Sequence, residues 1–127
     1  MRLLLDTHVF LWFVTGDDRL SRRARRTIED DETEFYLSAA SVWEMAIKAS
    51  LGRLTLPAPV EKYIAEKVVS GVRILPIEWI HAAAVETLPF HHRDPFDRLL
   101  VAQSATEKMP IITADPIFSA YKVSVVW

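Results

Sequence analysis

Cysteine is missing from all 127 residues. Disulfides and thiolate metal sites are thereby excluded, and the composition suits a reducing compartment. Long apolar runs are missing too: no stretch approaches the roughly 18 residues that a membrane-spanning helix needs. The opening run from Met1 to Val14 is greasy enough to resemble a secretion signal. Asp6 interrupts it, however, and no small-residue cleavage site follows before Gly16-Asp17-Asp18. It therefore reads as core, and the expectation is a soluble cytoplasmic protein with no membrane partner. Nor is there a marked excess of charge. With a formal net charge of −2, any binding to a polyanion must rest on a local patch or a bound cation. Repeats, low-complexity tracts and linkers are absent as well. What remains is a chain that is half hydrophobic, large enough for a real core, and expected to form a single domain over residues 1–127.

Short aliphatic runs alternate with helical patterns. Leu3-Leu4-Leu5, Phe35-Tyr36-Leu37, Val72 to Leu75, Ile111-Ile112-Thr113 and Val123 to Val126 read as strands. Between them, helices are predicted from Val9 to Val14, from the cap Ser21 to about Asp30, from Ser41 to near Gly52, from Val60 to Ser70, from Trp79 to Leu88 and from Asp94-Pro95 to about Lys108. Ser41-Val42-Trp43-Glu44 has the form of a capping box. Strands this short, without polar alternation and separated by helices, predict an α/β fold: a three-layer α/β/α sandwich around a parallel sheet of about five strands. Trp12, Trp43 and Trp79 are expected mostly in the core, with some of them lining a groove for a partner.

Asp6, Glu44, Asp97 and Asp115 each stand where a predicted strand ends or a predicted helix begins. In a parallel sheet these points face one edge, so acids far apart in sequence can converge on one cleft. Clustered carboxylates repel one another, and a hard divalent cation relieves that repulsion. Each acid also has a plainer role. Asp6 and Asp115 can cap helices, Glu44 can pair with Lys48 one turn on, and Asp97 can meet the dipole of its own helix. Four unrelated caps would not explain why all four fall on the same edge. Asp94, with proline beside it, has a complete capping role and is left out of the metal set. Thr7 and Thr113 flank the acids and are candidates to hydrogen-bond a ligating carboxylate. His91 and His92, adjacent in a polar loop, read as solvated rather than as ligands.

The string Asp94-Pro95-Phe96-Asp97-Arg98-Leu99-Leu100-Val101-Ala102-Gln103 resembles the PIN domain family. So do Leu4-Leu5-Asp6-Thr7, Ser41-Val42-Trp43-Glu44 and Ile112-Thr113-Ala114-Asp115, in the family's order and spanning almost the whole chain. The likeness is strongest to the VapC-type toxins of bacterial toxin–antitoxin pairs. The resemblance implies an endoribonuclease dependent on one or two Mg²⁺ or Mn²⁺ ions held by Asp6, Asp97, Asp115 and Glu44, with these four as catalytic residues. It also implies cleavage by an activated water to leave a 5′-phosphate and a 3′-hydroxyl, a homodimer, and a small cognate antitoxin as partner.

Arg22, Arg23, Arg25 and Arg26 form the one basic cluster. Pairing with Glu29 and Asp30 is one reading and contact with an RNA backbone the other. Two rival functions remain open. A catalytically silent PIN-like module would bind RNA or protein without cutting, although all four expected acids are present. An aspartyl-phosphate domain would also place aspartates at strand ends, but position 8, where a haloacid-type phosphatase would want its second aspartate, is His.

Overall fold

The computed structural model describes all 127 residues. Strands β1 (Arg2–Leu5), β2 (Glu34–Ser38), β3 (Arg73–Leu75), β4 (Ile111–Ile112) and β5 (Val125–Val126) form one sheet in the order β3-β2-β1-β4-β5. Every pairing is parallel; Leu5 lies opposite Leu37 on one side and Ile112 on the other. The helices are α1 (Thr7–Thr15), α2 (Arg22–Glu29), α3 (Ala39–Ser50), α4 (Val60–Val69), α5 (Trp79–Ala84) and α6 (Pro95–Glu107). Short 3₁₀ turns run over Val85–Thr87 and Pro116–Ala120.

Both faces of the sheet are covered, which is why the strands carry no polar alternation. Leu5 packs with Val9, Phe10, Ala24, Ile28 and Met45 on one side. Leu4 points the other way, into Leu100, Val101, Met109 and Phe118. All three leucines of β1 are fully buried, each contributing about 1.5–3 kcal/mol of transfer free energy. Leu20, Ala24 and Ile28 form a buried stripe along α2 and its start, and Ser21 caps that helix, as its position in the sequence predicts, by accepting from the Ala24 N–H at 3.0 Å. Gly16 ends α1 at φ +67°, a left-handed conformation that glycine adopts without strain. No helix is long and apolar enough to cross a membrane.

Three expectations need correction. First, α3 begins at Ala39, because Ser38 is its cap, accepting from the Ala40 N–H at 3.0 Å. Ser41 and Glu44 therefore form no capping box, and Glu44 lies beyond the first turn. Second, Trp43 is 58% and Trp79 80% exposed, so only Trp12, half-buried, approaches the predicted core placement. Trp43 lies edge-on to Phe96 across α3 and α6, with ring centroids 5.1 Å apart. Third, α5 stops at Ala84 and the following residues tighten into a 3₁₀ turn rather than continuing to Leu88.

Candidate active site

The carboxyl ends of β1, β2 and β4 meet at one edge, because parallel strands in register stop together. Asp6 follows β1 and continues the ladder, its N–H donating to the Ile112 carbonyl at 3.1 Å. It occupies the cap position of α1 but makes no capping hydrogen bond with its side chain, so capping does not account for it. Its carboxylate instead accepts from the Thr113 hydroxyl at 2.8 Å, across from the end of β4. Thr113 in turn accepts from the Asp115 N–H at 3.0 Å. One hydroxyl thus ties the residue after β1 to the turn after β4.

Glu44 reaches the same edge from α3 and is buried. The Thr7 hydroxyl lies 3.0 Å from Glu44 Oε1 and 2.8 Å from Ser41 Oγ. A carboxylate only accepts, so Thr7 spends its hydrogen on Glu44 and receives one from Ser41. Lys48 pairs with the other oxygen, Oε2, at 2.8 Å, the i,i+4 contact expected from spacing. Asp97 comes from the first turn of α6, whose start is fixed by Asp94 accepting from the N–H groups of Phe96 and Asp97 at 2.9 and 3.0 Å. Its Oδ2 meets His92 Nε2 at 3.1 Å.

These acids feel one another. Burial pushes the Asp6 carboxyl above its ordinary range; the Thr113 hydrogen bond and then the charge and backbone N–H of His8 oppose this, and the charge of Glu44 adds to the rise. Asp97 is pushed up to about 6, first by burial, then by the charge of Asp94, against the hydrogen bond from His92; the charge of Asp6 adds to the rise. Asp6 thus lies within electrostatic reach of both Glu44 and Asp97. Asp115 is different: it is exposed, and its side chain caps the 3₁₀ turn by accepting from the Ile117 N–H at 3.0 Å.

His92 corrects the reading of a solvated pair. His91 is exposed, but His92 is half-buried between Asp97 and the Tyr121 hydroxyl, which lies 2.7 Å from its Nδ1. Tyr121 is a site neighbour that motif reading does not find, whereas Ser41 and Arg98 lie inside the motifs without a role being assigned to them there. Arg98 shares the buried face of α6 with Val101 and Ala102, a charged residue at a core spacing. Of the arginine cluster, Arg22, Arg23 and Arg26 are exposed, and Arg25 pairs with Glu29 at 3.7 Å. Arg23 and Arg26 line a groove with Met1, Glu32 and Thr33, at the amino ends of the strands and so at the edge opposite the acids.

The donor set suits a hard divalent cation in its chemistry. Three neighbouring carboxylates, two of them held by threonine hydroxyls, match magnesium or manganese, and nothing in the set favours a soft ion. In this arrangement, however, no three Asp, Glu or His groups converge at chelating distance. Lys48 and His92 occupy one oxygen each of Glu44 and Asp97.

A five-stranded parallel α/β sheet with an acidic cluster at its carboxyl edge defines the class of protein. The PIN domain family model matches residues 3–123, and the chain belongs to that family. It is similar to ribonuclease VapC22 of Mycobacterium tuberculosis, 32% identical over 114 residues, covering 89% of this chain and 86% of that protein. Among solved structures, it resembles VapBC2 from Rickettsia felis bound to a DNA fragment from its promoter, at a TM-score of 0.75 and 12% identity over 100% of this chain and 99% of that one. A toxin–antitoxin complex from Klebsiella pneumoniae gives 0.66 at 17% identity, covering 98% and 96%. At those identities the likeness is one of fold.

Proposed function

We propose that this chain is an endoribonuclease dependent on Mg²⁺ or Mn²⁺, the toxin of a toxin–antitoxin pair. One observation carries the reading: Asp6, Glu44 and Asp97 share one edge, where the charge of Glu44 adds to the rise of the Asp6 carboxyl and the charge of Asp6 to the rise of Asp97, in a chain whose family includes a ribonuclease of 32% identity. Asp6 and Asp97 would hold one or two ions, with Glu44 and Asp115 completing the set directly or through water. A bound ion supplies a water of lowered pKa and neutralises the charge developing on the scissile phosphate. The protein's own part is orientation. Thr113 fixes Asp6, Thr7 and Ser41 fix Glu44, and the cap Asp94 fixes the turn that presents Asp97. An RNA strand then crosses an open edge rather than entering a closed pocket.

The cognate antitoxin and a second copy of the chain are the proposed protein partners. Exposed Ile77, Trp79 and Ile80 leave apolar surface for such contacts. The relative from Klebsiella pneumoniae is a toxin–antitoxin complex, which is in keeping with an antitoxin partner here. The rival reading, a silent RNA- or protein-binding module, draws support from the lack of three groups at chelating distance. Cleavage of a bulk RNA substrate by the purified protein separates the two. We expect activity with Mn²⁺, its loss in EDTA, and a fall of at least about 100-fold in Asp6→Asn, the scale on which one fixed electrostatic group acts. Full activity in EDTA or in the folded Asp6→Asn protein contradicts the assignment.

A further inference from the structure

Arg98 is a buried cation without a carboxylate partner. Its side chain, on an α6 residue 4% exposed, donates from Nη1 to the Pro89 carbonyl at 2.8 Å and to the Tyr121 hydroxyl at 3.2 Å, and from Nη2 to the Leu88 carbonyl at 3.3 Å. The guanidinium also lies over the Phe90 ring, 4.3 Å from its centroid. Burying a charge is costly unless its donors are satisfied, so the placement calls for a return beyond packing. The geometry supplies one. Tyr121, itself buried, touches Arg98 on one side and His92 Nδ1 on the other at 2.7 Å.

The directions of these hydrogen bonds follow by elimination. Guanidinium only donates, so Tyr121 must accept from Arg98. The phenolic hydrogen has one acceptor within reach, His92 Nδ1 at 2.7 Å. With that bond made, Nδ1 carries no hydrogen and Nε2 donates to Asp97 Oδ2 at 3.1 Å. Each link polarises the next in the same sense. The chain ends on one oxygen of Asp97 and leaves Oδ1 without a protein partner.

We propose that Arg98, Tyr121 and His92 form a directed hydrogen-bond chain that sets the orientation of the Asp97 carboxylate, with His92 and Tyr121 acting as positioning residues. The proposal rests on Asp97 belonging to the active site. Carboxylates and imidazoles that hold a metal-site group from behind commonly change affinity or activity by about 10- to 100-fold when removed. The same contacts pin the segment from Leu88 to Arg93, so a merely structural role must be told apart from this one.

Two readouts do so. Nitrogen-15 NMR of the imidazoles in metal-free wild type is expected to show the His92 hydrogen on Nε2 and none on Nδ1. A hydrogen on Nδ1, with or without one on Nε2, overturns the chain. Tyr121→Phe keeps the ring and removes only the hydroxyl. It should lose the single tautomer and weaken Mn²⁺ binding, followed by electron paramagnetic resonance, by about 10-fold, while melting cooperatively like wild type. His92→Gln, which can still donate to Asp97, should recover most of the Mn²⁺ affinity lost in His92→Ala. Unchanged tautomer and Mn²⁺ affinity in Tyr121→Phe refute the proposal. Absence of Mn²⁺ binding in wild type counts instead against the metal-site reading, and the metal-free tautomer then decides the chain alone.

Discussion

Asp97 is held in surroundings that disfavour its own charge: burial and the carboxylates of Asp94 and Asp6 push it up to about 6, against the hydrogen bond from His92. In the unfolded chain the same group ionises near 3.8. Between those values the folded state keeps a proton that the unfolded state has lost. The stability from this group is therefore complete below about pH 3.8 and is lost as pH rises through about 6. Asp97→Asn removes the charge altogether. Without metal it should be more stable than wild type at pH 7.5 by on the order of 1–3 kcal/mol, with the gain gone near pH 4 and RNA cleavage lost. Urea titrations across that range check it, and a pH-independent difference contradicts it. Asp115 calls for a different substitution logic. Asparagine caps as well as aspartate, so Asp115→Asn should leave the melting temperature unchanged. A fall in cleavage on the order of 100-fold then identifies the carboxylate as a ligand, and unchanged cleavage leaves it a cap.

Helix α3 takes its start from Ser38, whose hydroxyl both caps the helix and reaches Gln103 on α6. Ser38→Ala is expected to cost about 1–2 kcal/mol, more than Ser41→Ala, by chemical denaturation; the opposite order would place the cap at Ser41. The same pair of serines marks the boundary of what is legible in sequence. Asp94-Pro95 announces α6 correctly because cap and proline act locally. Ser38 and Ser41 offer the same chemistry three residues apart, and the choice falls to a contact with α6 that no local pattern contains. Asp6, Glu44 and Asp97 can be grouped in advance, since parallel strands send their ends to one edge. The Arg98–Tyr121–His92 chain cannot, since its links join residues 23 and 29 positions apart. Trp43 and Trp79 lie outside the core they are expected to fill, because hydrophobicity alone does not say whether a surface awaits a partner.

At the scale of the whole molecule, the cluster of Asp6, Glu44 and Asp97 and the arginine helix lie at opposite edges of the sheet. The acids stand at the carboxyl ends of the strands, whereas Arg23 and Arg26 lie beside Met1, Asp30 and Glu32 at the amino ends. Any RNA contact by the arginine helix is therefore with strand flanking the cleavage point. Neutralising Arg22, Arg23, Arg25 and Arg26 together should flatten the salt dependence of RNA binding, by up to about 0.7 in log–log slope for each single-strand phosphate released, while cleavage of saturating substrate persists. An unchanged slope removes these residues from RNA binding. The acidic edge admits a more direct test, anomalous scattering from a crystal soaked in manganese. The account predicts a peak at about 2.0–2.6 Å from oxygens of Asp6 and Asp97, a normal distance for hard cations, with Glu44 reached directly or through water. No peak between those carboxylates, or a peak held by other residues, would contradict it.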